Sequence, residues 1–274
     1  MTDMKQKRRD VALAKELLAV EKQEKKMQQA ALKAKPAAWK TELECRVPEK
    51  VYTGLESAFC KGFSLVFDQG RGIIEKGYNK EGIQADHAIR DFAVQRKGGR
   101  KELKKMHKSA KQSDLFNLAI TTVEGVGLGA FGVGMPDIIL FLGTLLKGVY
   151  ETALNYGFDY ESRQEKLFIL KMMQTALSTG EDWANRNAEV DEMLVLETAK
   201  ITDEDLSLQL KETASAFAVD MLLLKFIQGL PVVGIIGGAA NPVYYNKVMK
   251  YVQLKYRKRY LLKQREVTSN EISI

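Results

Sequence analysis

Proline is scarce in this chain, and that scarcity limits the fold more than any other feature. Only five prolines occur in 274 residues, at Pro36, Pro48, Pro136, Pro231 and Pro242. Proline removes a backbone donor and clashes with the preceding turn, so the long intervals between prolines are free to be helical. They are rich in Ala, Leu, Glu, Lys, Gln and Met, which lose little side-chain freedom in a helix. No stretch sustains the strict alternation of a half-buried strand. With 45% hydrophobic and 28% charged residues the chain can bury a sizeable core. The expected fold is all-α: a multi-helix domain with two glycine-rich apolar helical hairpins and an N-terminal helical extension. The expected organisation is a basic extension over 1–40, an all-α domain over 41–265 and a disordered tail over 266–274.

Local signals place the helices. In the lead-in, Leu13, Leu17, Val20, Met27 and Ala31 recur at helical spacing, with Glu24 interrupting the seam. After Pro48, Val51, Leu55, Phe59, Phe63 and Phe67 form a stripe that predicts core. The pair Gly98-Gly99 predicts a hinge or loop. Beyond it, Lys101, Lys104, Lys105, Lys108 and Lys111 fall opposite Leu103, Met106, His107 and Ala110, as in a short basic amphipathic helix. Pro136 and Asp137 suit a helix start and Gly157 its stop. Ser162 with Glu165 has capping-box spacing, Gly180 ends the next helix, and a further helix should span Asp182 to Ala199. Thr202 can cap another. A last helix carries Tyr244, Tyr245, Val248, Val252 and Tyr256 among many lysines and arginines.

Charge is distributed unevenly. The chain is +7 overall, yet residues 1–40 and 241–274 are each +6, which leaves the middle at −5. Two basic ends suggest an acidic partner surface: anionic lipid, nucleic acid or an acidic protein. The C-terminal tyrosines share a face with valines, which predicts packing rather than base stacking and ranks nucleic acid below lipid. Cys45 and Cys60, with only His87 and His107 elsewhere, make no zinc spacing. The first thirty residues lack an export signal, so the expected location is the cytoplasm.

Two segments stand apart. Residues 118–146 hold only two charges, Glu124 and Asp137, and Phe226–Ala240 holds none. The second segment, at fifteen residues, reaches roughly 22 Å and falls short of the roughly twenty residues a span needs. Lengths therefore favour a dip into a membrane interface or a buried hairpin. Gly125 with Gly129, Ala130 with Gly134, and Gly234 with Gly238 have small-xxx-small spacing, which allows close helix approach. Glu124, Asp137 and Asp220 lie in apolar surroundings, where a carboxylate must find a partner or raise its pKa. Structural roles are expected for all three: Asp137 at a helix start, and Glu124 or Asp220 accepting backbone N–H bonds or pairing with Lys147 or Lys225. A hydrolase-type enzyme using Glu124 or Asp137 is the alternative, although no nucleophile elbow, HExxH helix or Cys-His pair accompanies them.

The run Glu124-Gly125 through Leu128-Gly129, then Gly134-Met135-Pro136-Asp137, Tyr150-Glu151, Tyr156-Gly157 and Glu165-Lys166, resembles the EcsC family of bacteria. So does the ending Pro231-Val232-Val233-Gly234, Gly237-Gly238 and Asn241 before a tyrosine- and arginine-bearing helix. The likeness covers most of residues 40–262 in order and spacing, with the lead-in before Trp39 outside it. The family takes its name from a gene cluster that also holds ABC transporter subunits. The resemblance thus implies work at the cytoplasmic membrane face, with transporter subunits as candidate partners, and brings no catalytic residue, cofactor or metal. The expected protein is a non-enzymatic accessory factor peripheral to the inner face of the cell membrane, with a soluble interaction module as a further alternative. Expected membrane or partner contacts are Lys101, Lys104, Lys105, Lys108, Phe131, Met135, Ile235, Ile236, Lys255, Arg257 and Lys258. Expected structural motif positions are Glu124, Gly125, Gly129, Gly134, Pro136, Asp137, Pro231, Gly234, Gly238 and Asn241.

Overall fold

The proline-poor intervals do form helices. The computed structural model describes residues 3–33, 48–68, 74–111, 135–195, 200–227 and 240–270, with side chains throughout except at 3, 68, 135–137, 223–227, 240–241 and 268–270. Among the described residues there are nine helices and no strand. They are α1 (Asp3–Lys33), α2 (Glu49–Asp68), α3 (Lys80–Lys97), α4 (100–111) and α5 (Met135–Asn155), then α6 (Arg163–Leu177), α7 (Gly180–Val195), α8 (Asp203–Ile227) and α9 (Ala240–Asn270). The fold is all-α.

The ends of these helices follow the local chemistry. Ser162 accepts from the Glu165 amide at 3.1 Å and so caps α6. Glu165 does not close the box back on Ser162; its carboxylate turns inward and accepts from the Tyr256 hydroxyl at 2.7 Å and the Arg259 guanidinium at 2.7 and 2.9 Å. Thr202 and Asp205 do close a reciprocal box at the start of α8. At the end of α5, Gly157 has φ +78° and its amide donates to the Leu154 carbonyl. His87 packs directly over that glycine and leaves no room for a Cβ.

Helix α9 is the axis of the molecule, with α1, α5, α6 and α7 packed around it. α8 lies between α2 and α6, and α2 and α3 both rest on α5. Tyr251 to Tyr256 are six consecutive buried residues, so α9 is enclosed on every side there despite its charge. The tyrosine and valine stripe Tyr244, Tyr245, Val248, Val252 and Tyr256 is core as expected, as are Phe59, Phe63 and Phe67 of α2. α5 meets α9 at Gly148, where a Cβ would overlap the Tyr245 hydroxyl, so the glycine permits the close approach. Residues Ile138–Asn155 of α5 have the length and mean hydropathy, 1.2, to cross a membrane, but 72% of that window is buried inside the protein. It is a core helix.

Buried charge joins the two ends of the chain. The fully enclosed Lys255 ammonium meets Glu24 of α1 and Asp191 of α7, the latter at 2.7 Å. Lys258 binds the same two carboxylates at 2.8 Å each. About two turns earlier on α1, Glu16, itself 2% exposed, is held by Arg257 of α9 and Arg100 of α4. A polar chain continues through Arg9 to Gln264 at 3.0 Å, and from Gln264 and Tyr260 to Asp91 of α3 at 2.8 and 2.7 Å.

Two boundaries differ from expectation. The described part of the expected 1–40 extension, α1, is not an appendage: Leu13, Leu17 and Val20 enter the core, and Glu24, which interrupts the apolar seam, supplies a counter-charge for α9. The helix expected to stop near Arg265 continues to Asn270, since nothing between them breaks it; residues 271–274 lie outside the described set. The glycine-rich hairpins fall largely outside the described residues, at 112–134 and 228–239.

Removing one partner of a buried ion pair is costly, because the other charge stays buried. Glu16→Gln should therefore lower stability by about 3 kcal/mol in urea denaturation, while Lys104→Gln on the exposed face of α4 should change it by less than about 0.5 kcal/mol. Equal stability of the two variants would contradict the role given to Glu16.

Candidate functional site

The basic residues of the chain divide into two groups with different fates. In α9, Lys247 is 2.9 Å from Asp220, and Lys255, Arg257, Lys258 and Arg259 all pair with carboxylates from other helices. Lys255, Arg257 and Lys258 were expected at a membrane or partner surface. That expectation is corrected: their side chains are 0, 12 and 18% exposed, because Glu16, Glu24 and Asp191 draw them inward. The expected partner of Asp220 is corrected too. Lys247, rather than Lys147 or Lys225, closes on its carboxylate at 2.9 and 3.1 Å.

In α4 the arrangement is reversed. Lys101, Lys104, Lys105, Lys108 and Lys111 are all exposed, while Leu103, Met106 and Ala110 are buried beneath them, as the spacing predicted. The helix is seated through its inner side. Ser109 donates to the Asn155 side-chain oxygen at 3.2 Å, and Arg90 of α3 donates to the same atom at 3.2 Å. His87 of α3 lies 3.0 Å from the Asn155 carbonyl, and His107 of α4 lies 2.9 Å from the Tyr156 hydroxyl. The end of α5 therefore fixes α3 and α4 together as a pair whose outer faces look away from the core.

Gly98 ends α3 in the left-handed region at φ 57°, and the first turns of α1 arrive at that bend, with the Arg9 Cβ 3.1 Å from where a Gly98 Cβ would stand. Exposed Lys5, Lys7 and Arg8 of α1 are thereby brought to Arg96, Lys97 and the α4 lysines. The sequence alone did not show this union, because its parts lie about ninety positions apart. Ile89 and Phe92, on the outer side of α3, are also exposed and drew no attention in sequence.

The remaining sequence candidates are placed as follows. Phe131, Ile235, Ile236, Glu124, Gly125, Gly129, Gly134, Pro231, Gly234 and Gly238 lie outside the described residues. Met135, Pro136 and Asp137 begin α5 and Asn241 lies in the first turn of α9, with their side chains not described. The segment from Pro136-Asp137 onward is helical as expected, and the residues before Met135 lie outside the described set.

A cavity of about 470 Å³ opens between the α6–α7 turn and α8, with Glu181, Arg186, Glu212 and Asp220 on its walls. Burial raises the pKa of Asp220, and Lys247 opposes that rise from behind. Among the described residues no group of three or more His, Cys, Asp or Glu has a metal-holding arrangement.

The two histidines that seat the α3–α4 pair are held neutral. Burial pushes His107 down to about 4, helped by the charges of Arg257 and Lys111, and burial also lowers His87. An unfolded His107 titrates near 6.5, so between about pH 6.5 and 4 the unfolded chain binds more protons than the folded one. Stability should fall with pH across that window, by on the order of 2 kcal/mol for this group. Urea denaturation of the parent and of His107→Gln at pH 7 and pH 5 should show a smaller loss in the variant, with a residue due to His87. Identical losses would contradict a neutral, buried His107.

Neither the curated proteins nor the solved structures contain a match to this chain. The model of the EcsC protein family matches residues 12–261. The match starts inside α1, earlier than the likeness expected from residue 40, and takes in both helices of the ionic latch. It ends within α9, one residue after Tyr260. With nearly its whole length covered, the chain belongs to the EcsC family.

Proposed function

We propose that this protein is a non-enzymatic accessory factor that sits peripherally on an anionic membrane, on the cytoplasmic side. The observation that carries the reading is the outward basic face of α4, joined by the first turns of α1 and the end of α3. Its lysines are spaced along one side of a helix whose other side is anchored in the core, so the charge is displayed rather than neutralised. Each Lys or Arg held near an anionic leaflet contributes about 1 kcal/mol, screened within a Debye length of about 8 to 10 Å. Five such lysines on one short helix are enough for reversible capture.

The contribution of α9 to this contact is smaller than its composition suggests, since five of its cations already bind carboxylates within the fold. The family's association with ABC transporter subunits makes such subunits the candidate protein partners at the membrane. A hydrolase-type enzyme using Glu124 or Asp137 is the alternative reading; Glu124 and the side chain of Asp137 lie outside what the structure describes, while the buried acid Asp220 is held by Lys247.

Purified protein should co-sediment with vesicles of equimolar phosphatidylglycerol and phosphatidylcholine and much less with phosphatidylcholine alone. Lys104→Glu with Lys105→Glu and Lys108→Glu should reduce capture by about a hundredfold or more, with an unchanged melting curve, because solvated lysines contribute little to stability. A parent protein that binds neither vesicle would overturn the membrane reading and leave a soluble interaction module.

A further inference from the structure

The outer face of α3 is unusual for a helix of an enclosed bundle. Ala85 lies three and four residues before Ala88 and Ile89, which lie four and three before Phe92, and all are exposed, with Ile89 at 69% and Phe92 at 64%. Arg96 continues the same line one turn beyond Phe92 and is exposed as well. Single exposed apolar residues are common, but four in register on one helix face form a stripe.

The setting of the stripe decides what it fits. The inner face of α3 is committed: His87 and Arg90 bind Asn155, Asp91 binds Tyr260 and Gln264, and Val94 is buried. The stripe therefore stays outside when the helix is seated. Arg90 and Ser109 share one acceptor atom, so α4 is seated next to α3 at the end of α5, and its lysines are exposed. An apolar ridge beside a row of long cationic side chains matches the chemistry of an anionic lipid interface, where acyl chains accept the ridge and headgroup phosphates accept the lysines. Nucleic acid would leave Ala85, Ala88 and Ile89 without a role, since none offers a ring for a base to stack on.

We propose that the outer face of α3, with Ile89 and Phe92 as its anchors, inserts into the interfacial region of an anionic leaflet while the lysines of α4 lie on the headgroups. This rests on the peripheral-membrane reading and adds to it the apolar component of binding and the side of the protein that faces the lipid. α5, the most apolar helix, remains in the core when the protein binds.

The test separates the apolar contribution from the electrostatic one. Ile89→Ser with Phe92→Ser changes two exposed positions, so circular dichroism and melting should match the parent. On equimolar phosphatidylglycerol and phosphatidylcholine vesicles at low salt the variant should bind about tenfold more weakly than the parent. In high salt the parent should retain a bound fraction and the variant none. A second variant, Phe92→Trp, should show indole emission that shifts to the blue with these vesicles and is quenched by brominated acyl chains, beyond the signal of the parent. If the parent binds, but the serine variant keeps the parent's salt-resistant fraction or the indole is not quenched, the α3 anchor is refuted while the peripheral reading stands. If the parent binds no vesicle, both fall.

Discussion

Two carboxylates on α1, Glu16 and Glu24, are placed where an apolar seam would otherwise run, and the fold is arranged around satisfying them. An unpaired charge in such a position costs several kcal/mol, so the cations that meet it are held inside in turn. Burial pushes Glu24 up, yet the nearby charges of Lys255 and Lys258 win and hold it down to about 2. The same contest, with Arg100 and Arg257 as partners, holds Glu16 below the usual carboxylate range. One consequence is topological. The first and last helices of the chain are fastened together, and α9 can run through the centre of the bundle because its positive charge is matched from α1, α6, α7 and α8.

A second consequence concerns what is left at the surface. Charge drawn into the latch is not available to a partner, and the net positive charge of each end says little about where the field is felt. α4 and the start of α1 both carry outward charge, with Lys101, Lys104, Lys105, Lys108, Lys111, Lys5, Lys7 and Arg8 exposed. Asn155 and Tyr156 position the first of these from the end of α5. Gly157 matters to this seat twice, through its left-handed backbone and through the space it leaves for His87.

Much of the fold could be read from local rules. Helix content followed from the lack of proline, the caps at Ser162 and Thr202 from their spacing, and the inner and outer sides of α4 from its period. The two-sided pattern of α4 was legible because it is a local, helical-period pattern and its lysines are exposed. The burial of Lys255 and Arg257 was not, because it depends on carboxylates more than 200 positions away and a basic helix looks the same from composition whether solvated or matched. A signal did exist. Lys255 falls three residues after Val252 on the apolar face, and Glu24 sits in the apolar seam of α1, so each is a charge in a core position. Two such misfits of opposite sign in one chain can be taken as partners. The Ile89 and Phe92 ridge was overlooked for the opposite reason: its helix is polar overall, and the apolar positions stand out only once their neighbours are seen to face inward.

The central claim is that cations of the C-terminal helix are spent inside the fold while those of α4 face outward to a membrane. Amine-reactive footprinting of the native protein, read lysine by lysine with and without phosphatidylglycerol-containing vesicles, tests it directly. Lys104, Lys105 and Lys108 should react quickly in solution and become shielded by the vesicles, whereas Lys255 and Lys258 should stay largely unreactive under both conditions until the protein is unfolded. Lys255 and Lys258 reacting as fast as the α4 lysines in the native protein, or α4 lysines left unshielded on vesicles that bind the protein, would contradict the account.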